Sequence, residues 1–541
     1  MFTSDTHAAF ANKRFLIIDD FQGMRSMFRE MLKSCGAKDI DAASNGAEAI
    51  SILEKNKYDV VLCDYNLGLG RNGQQVMEEA KFRNLIGLAT AWVVVSAEKT
   101  AEMVIGAAEY VPDDYIVKPV NEATVRARLA KVMDRKAALL DIEKAVKAKD
   151  YKQAIALCDQ KLAERSGYTS DLLRMKTNLL LQSGQRDKAK AVFEQILAQR
   201  DIPWAKTGLA KIHLLNKEYD EARRLLNEVV EESRTYLEGY DLLAKMLEEI
   251  GELDEAQYVL IRSAELSPNS ISRQKSLGEI AQKRGDLEVA EKAFRKTISL
   301  GENSILKTPA AYLGLAKVCS EKGNTSEAVR LLGEVHKTFD DPEATLHAKI
   351  IEGAVYSKSG DLNNARKLAA EVATIMKESA ARLPAQVTLE AADLIMGTGD
   401  KDTASELLKV VVKNNHENET LIDQVKGVFA KGNMEEQGGA MVEDMRREVV
   451  QTNNKAVALA KEGKLEEAVS LMRNAKGMMP NNKRVLLNLT YAMILLLKKN
   501  GREAALEREA RDCLDRIQKL DPGEKLCADY RAMIEEIAAA G

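Results

Sequence analysis

Over the first 134 residues the apolar positions switch repeatedly between two patterns. Short apolar runs, FLIID from Phe15, AAS from Ala42, DVVLCD from Asp59, WVVVSA from Trp92 and DDYIVKP from Asp113, read as buried strands. Between them GMRSMFREMLKSC, AEAISILEKN, QQVMEEAKF and AEMVIGAAEY space their apolar residues as helices do, and a last helix follows. Five strand-helix units predict an α/β doubly wound, five-stranded parallel sheet in residues 1–134, with strand order 2-1-3-4-5.

After residue 120 the pattern is helical throughout. The stretch NEATVRARLAKVMDRKAALLDIEKAVKAKD, 121–150, has no Gly or Pro and carries an apolar stripe of Val125, Leu129, Val132, Leu139, Ile142 and Val146. It fits one helix of roughly 40 Å at 1.5 Å per residue, or two helices broken near Asp134 to Ala137. Further on, aligning the chain with itself at an offset of 34 pairs Leu243 with Leu277, Ala244 with Gly278, Gly251 with Gly285, Leu253 with Leu287, Ala256 with Ala290 and Leu260 with Phe294. A fixed period of this length predicts a superhelical all-α solenoid over 135–541.

The spacing has a physical cause: a small residue in each helix lets a pair pack closely, and a Gly-polar turn separates them. Second-helix alanines at Ala154, Ala189, Ala222, Ala256, Ala290, Ala328, Ala365, Ala404 and Ala468 mark about nine recognisable repeats. Segment 415–447 is degenerate but helical in pattern, and a capping helix is expected near Glu524 to Ala539.

Charge and composition remove several classes of function. Residues 1–134 hold 16 basic against 19 acidic residues, and 135–541 hold 63 against 64. That balance argues against direct nucleic-acid contact. Six dispersed cysteines without a C-x-x-C pair predict buried, reduced thiols and a cytoplasmic protein. The N-terminal MFTSDTHAAFANKR lacks a signal-peptide core, and the run Leu85 to Ala97 is shorter than the roughly 18–20 residues of a membrane span, so no membrane association is expected.

The candidate chemistry lies at one sheet edge. Asp19 and Asp20 end the first strand, Asp64 the third, Ser96 the fourth and Lys118-Pro119 the fifth. In the expected order strands 1 and 3 flank the switch point and bring three carboxylates together, where they repel unless a cation sits among them. A hard divalent ion with oxygen ligands, Mg²⁺, resolves that repulsion, and a Lys and a Ser hydroxyl can hold the other oxygens of a phosphoryl group. The set describes phosphoryl transfer onto Asp64.

With these residues in this order, residues 13–134 resemble a response-regulator receiver domain of the CheY type, a flavodoxin-like fold. The resemblance implies Asp64 as phospho-acceptor, Asp20 and Asp64 as direct Mg²⁺ ligands with the Asn66 carbonyl, and Asp19 acting through water. It also implies Ser96 as switch hydroxyl, Lys118 as phosphate contact, Pro119 in a cis peptide and Tyr115 as the aromatic that rotates on activation. Asn66 and Glu98 are of the types found in CheY two residues beyond acceptor and switch, which implies a short-lived phosphate.

One departure follows Asp64, where the family usually has a Pro and this chain reads YNLGLGRNG. Within it Gly68 to Gly73 is a literal G-x-G-x-x-G. It sits in the third strand-helix unit, with VVV where the ribose-binding acid belongs, so a loop beside the acceptor is expected rather than a dinucleotide site.

The repeat LLAKMLEEIGELDEAQYVLIRSAELSPN resembles the tetratricopeptide (TPR) repeat. Such arrays bind peptides or helices on a concave face. Lys211, Lys245 and Lys317 share a first-helix position there, which reads as ordinary solvated lysines or a basic stripe for an acidic partner. Arg174 and Asn178 reproduce only part of a carboxylate clamp.

Together the two resemblances imply a two-component response regulator without enzymatic activity beyond self-phosphorylation and dephosphorylation at Asp64. Its partners would be a sensor histidine kinase or phosphotransfer protein and an unidentified downstream protein on the TPR concave surface; a homodimer is compatible with the sequence. The competing classes are a TPR-containing transcription or RNA-associated regulator and a constitutive scaffold with an idle receiver.

Overall fold

The structure is a computed structural model that describes residues 10–87, 89–97, 112–164 and 167–540. The chain divides into two compact units, Met1–Thr308 and Pro309–Gly541.

The first unit begins with β1 (Arg14–Ile18), α1 (Gln22–Ser34), β2 (Asp39–Ala43), α2 (Gly46–Lys55), β3 (Val60–Asp64), α3 (Gly73–Phe82), β4 (Ala91–Ser96) and β5 (Asp114–Val117). The strands form one parallel sheet in the order β2-β1-β3-β4-β5, as the pattern predicts. Their continuous apolar runs follow from burial on both faces. Phe15, Ile17, Val60, Leu62, Val93 and Val95 enter one core, and Leu16, Ile18, Val61, Cys63, Trp92 and Val94 enter the other.

β2 differs from the expected AAS. It spans DIDAA, because an edge strand needs only β1 as partner and tolerates polar positions: Asp39 binds Arg14, and Asp41 accepts the Tyr58 hydroxyl. The helix expected at AEMVIGAAEY lies outside the described residues.

The segment after β5 is one helix, α4 (Glu122–Lys147), capped where the Asn121 side chain accepts from the Thr124 N–H. Val125, Leu129 and Val132 bury in the sheet's core, each stabilising by roughly 1.5–3 kcal/mol. Thirteen residues beyond Leu129, Ile142 joins Ala145 in a second core with Ala154, Cys158, Leu172 and Leu179. At the midpoint Arg135 (2.6 Å) and Lys136 (2.9 Å) both pair with Asp113 at the start of β5. The C-terminal half of α4 therefore serves as first helix of the first repeat.

The rest is helical hairpins. All nine second-helix alanines named above have no solvent exposure, which is what close pairing demands. The turn residues Gly184, Gly251, Gly285, Gly323, Gly360, Gly399 and Gly463 adopt φ between 76° and 107°, where a side chain would be strained. In the second unit the degenerate segment forms the helix Glu419–Lys431 and then a 27-residue helix, Glu435–Lys461, which runs through the place of an interrepeat turn. The capping helix is Leu526–Ala540.

Lys317 is not an ordinary solvated lysine: it holds Glu390 at 2.7 Å, while Lys211 and Lys245 are exposed. Arg174 reaches Glu238 at 3.5 Å. The six cysteines are buried and unbridged. Among the described residues no helix is long and apolar enough to cross a membrane.

Inserting Gly-Gly at 135 would rotate Ile142 by roughly 200° about the helix axis relative to Leu129, so both cores cannot be satisfied and α4 must break. Limited proteolysis should then cut at the insertion while helical circular dichroism persists; an uncut α4 with unchanged melting would refute the shared helix. In the second unit, burial alone would raise the Glu390 carboxyl, but hydrogen bonds from His347 (2.9 Å) and Lys317 hold it down at about 2. A depressed carboxylate contributes stability above its ordinary value near 4.5 and loses it as pH falls toward 2. Glu390→Gln should therefore cost about 3 kcal/mol at pH 7, with the melting difference shrinking below pH 4.5.

Candidate functional site

The sheet edge gathers the predicted residues because every strand ends there. β1 stops at Ile18, so the chain turns with Asp19 buried and Asp20 exposed. Register places Asp64 beside Val95 and Ser96 beside Val117, with Lys118 next along the chain.

One carboxylate oxygen from each of Asp19, Asp20 and Asp64 lies within 4.8 Å of the others. Lys118 Nζ donates to Asp64 Oδ2 at 2.7 Å and to Asp19 Oδ2 at 2.9 Å, while Asp19 Oδ1 accepts the Phe21 N–H at 2.9 Å. Burial pushes the Asp64 carboxyl up from its ordinary range, and the Lys118 hydrogen bond works against that rise. Lys118 itself would be lowered by burial, but Asp64 and Asp19 raise it above the ordinary lysine value, which keeps it charged.

Ser96 is buried at the end of β4, and its carbonyl accepts the Lys118 N–H at 2.8 Å. The Lys118-Pro119 peptide is cis. Tyr115 is half-buried against the core that holds Trp92 and Val94. Asn66 is the second residue of the loop after β3, its N–H 3.4 Å from Asp64 Oδ1. Glu98 lies outside the described residues.

The donor set suits a hard divalent cation. Three carboxylates and one ammonium leave a net of two negative charges, all donors are oxygen, and exposed Asp20 faces solvent. Asp19, Asp20, Asp64 and the Asn66 carbonyl are the groups that would hold Mg²⁺.

Two residues escape a reading of the sequence. Arg25, on the first turn of α1, donates Nη1 to the carbonyls of Asp19 (2.6 Å) and Asp20 (3.0 Å) and fixes the backbone that carries both carboxylates. Gly73 opens α3 so close to the end of β3 that a Cβ would stand 2.0 Å from the Asp64 carbonyl oxygen. Its N–H also donates to the Tyr65 carbonyl at 2.8 Å. The third glycine of the G-x-G-x-x-G string is thus a packing residue behind Asp64. Between them Gly68 and Gly70 adopt positive φ, and Leu69 is 99 % exposed.

The response regulator receiver domain family matches residues 15–130, and the tetratricopeptide repeat family matches residues 180–246. The chain is similar to chemotaxis protein CheY-3 of Vibrio cholerae, 30% identical over 124 residues, 23% of this chain and 94% of the relative. It is also similar to chemotaxis protein CheY of Pseudomonas aeruginosa, 26% identical over 126 residues, 23% of this chain and 97% of the relative. A solved tetratricopeptide repeat protein from Parabacteroides merdae aligns with 49% of this chain and 100% of its own length at 16% identity and a TM-score of 0.40. Over residues 15–130, then, this chain belongs to the response regulator receiver domain family, and tetratricopeptide repeats follow behind that domain.

Proposed function

We propose that Asp64 accepts a phosphoryl group from a histidine kinase or phosphotransfer protein and that the repeats deliver the output by binding another protein. The observation that carries this reading is the bridge of Lys118 Nζ between Asp64 and Asp19 amid three carboxylates. In the transfer, an Asp64 carboxylate oxygen bonds to phosphorus as the bond to the donor nitrogen breaks, giving an acyl phosphate. Lys118 opposes the effect of burial on the Asp64 carboxyl and so favours its ionised form before transfer, and it is placed to pair with a phosphoryl oxygen afterwards. Asp19 holds Lys118 in position, and Arg25 holds the Asp19-Asp20 backbone.

Mg²⁺, when bound, supplies charge neutralisation for the phosphoryl oxygens. Ser96 would donate its hydroxyl to the same group, and Tyr115 and the Lys118-Pro119 segment would follow its movement. The chain's own chemistry is limited to this transfer and its hydrolysis. We place the boundary between receiver and repeats at residue 134, inside α4.

Incubation with acetyl phosphate and Mg²⁺ should add one phosphoryl mass to the intact chain. Asp64→Ala should abolish the gain, and Lys118→Ala should reduce the rate by at least about tenfold, as expected for loss of a charge-assisted contact. A mass gain that survives in Asp64→Ala would assign the acceptor elsewhere, and none in the wild type would leave the receiver idle.

A further inference from the structure

The outer face of α3 is buried although its residues are polar. Gln74, Glu78 and Glu79 are each less than a tenth exposed. Part of the cover comes from the repeats: the chain leaves the sheet through α4, runs through successive hairpins, and returns at the end of the helix Leu287–Gly301 and the turn after it.

Two hydrogen-bonded routes cross this contact, and both begin in the loop that follows Asp64. In one, the Tyr65 hydroxyl meets Gln74 Oε1 at 3.4 Å, Gln74 Nε2 donates to Glu78 Oε1 at 3.1 Å, and Ser304 Oγ donates to Glu78 Oε2 at 3.1 Å. In the other, the Asn72 N–H donates to Gln75 Oε1 at 3.0 Å while Gln75 Nε2 donates to the Leu300 carbonyl at 3.2 Å. That carbonyl is in the last turn of its helix and has no helical partner ahead of it. A cleft of about 300 Å³ lies alongside, lined by Leu69, Gly70 and Arg71 of the acceptor loop and by Asn303, Ser304 and Ile305 of the repeat turn.

We propose that this contact is a clasp, closed while Asp64 is unmodified and opened by its phosphorylation, so that the turn from Leu300 to Leu306 is where the repeats receive the signal. The inference rests on Asp64 being the acceptor. A phosphoryl group on Asp64 needs room at a carboxylate whose two oxygens now face Lys118 Nζ and the Asn66 N–H, so the loop from Tyr65 to Asn72 is displaced. Gly73 has no room against the Asp64 carbonyl, so movement of the acceptor backbone displaces the start of α3. Both routes to Ser304 and Leu300 pass through that first turn and a half of α3. Packed elements of this kind exchange one discrete arrangement for another rather than deforming smoothly.

Hydrogen exchange of the full-length chain tests this, with intact mass read on the same samples. Acetyl phosphate and Mg²⁺ should speed exchange in peptides covering 74–80 and 300–306 by about tenfold, the order expected for losing a hydrogen bond to a charged group. Asp64→Ala should show no change, and Ser304→Ala and Gln75→Ala should each speed exchange in the same peptides without any phosphoryl donor. A phosphoryl mass on Asp64 with exchange unchanged overturns the clasp and leaves the acceptor assignment standing. A wild-type chain that gains no mass overturns both, and the two failures are told apart by the separate readouts. Unchanged exchange in both Ser304→Ala and Gln75→Ala also overturns the clasp.

Discussion

The first unit depends on one helix having to satisfy two hydrophobic cores. Val125, Leu129 and Val132 fix the N-terminal half of α4 against the sheet, and Ile142 and Ala145 fix its C-terminal half against the first repeat. With no Gly or Pro between them, the angular offset of the two apolar faces is set by helix geometry alone. Arg135 and Lys136 on Asp113 pin the midpoint, so the receiver and the first hairpin share a rigid element instead of being joined by a tether.

The carboxylate cluster is held from three directions around an unfavourable charge balance. Lys118 answers two carboxylates from the end of β5, Arg25 secures the backbone of the aspartate pair from α1, and Gly73 closes the space behind Asp64 from α3. Each support comes from a different strand-helix unit. The open α/β sheet makes this convergence available, since all its parallel strands end at one edge. The unusual loop between Asp64 and Gly73 fits the same scheme: its positive-φ glycines let it turn tightly, while its ends engage α3 through the capping box of Asn72 and Gln75.

In the repeats, close helix pairing at the buried alanines is the constant, and what varies is how one hairpin meets the next. A positive-φ residue closes each of these pairs, glycine at most of them and Lys149, Lys217 or Asn433 at others, whereas the single helix Glu435–Lys461 joins two successive pairs without a break. The charged trio of Lys317, His347 and Glu390 ties three first helices of the second unit together, turning a lysine that pattern alone would assign to solvent into a packing residue.

Most elements, and the residues that share the sheet edge, were legible in the order of residues along the chain. Runs such as FLIID and DVVLCD read as buried strands, the 34-residue spacing of alanine and glycine read as paired helices, and Asp19, Asp20, Asp64 and Lys118 were expected to meet where the parallel strands end. The pattern misjudged β2, whose two aspartates are acceptable only because the strand lies at an edge, and it gave no sign of Arg25, whose guanidinium binds backbone carbonyls that every residue possesses. Continuity of α4, the pairing of Lys317 with Glu390 and the meeting of Gln75 with Leu300 across 225 residues were decided by tertiary structure alone. The reason is physical: periodicity and residue type act within a few turns of chain, whereas which buried polar group finds which partner depends on the surface that a distant segment brings to it.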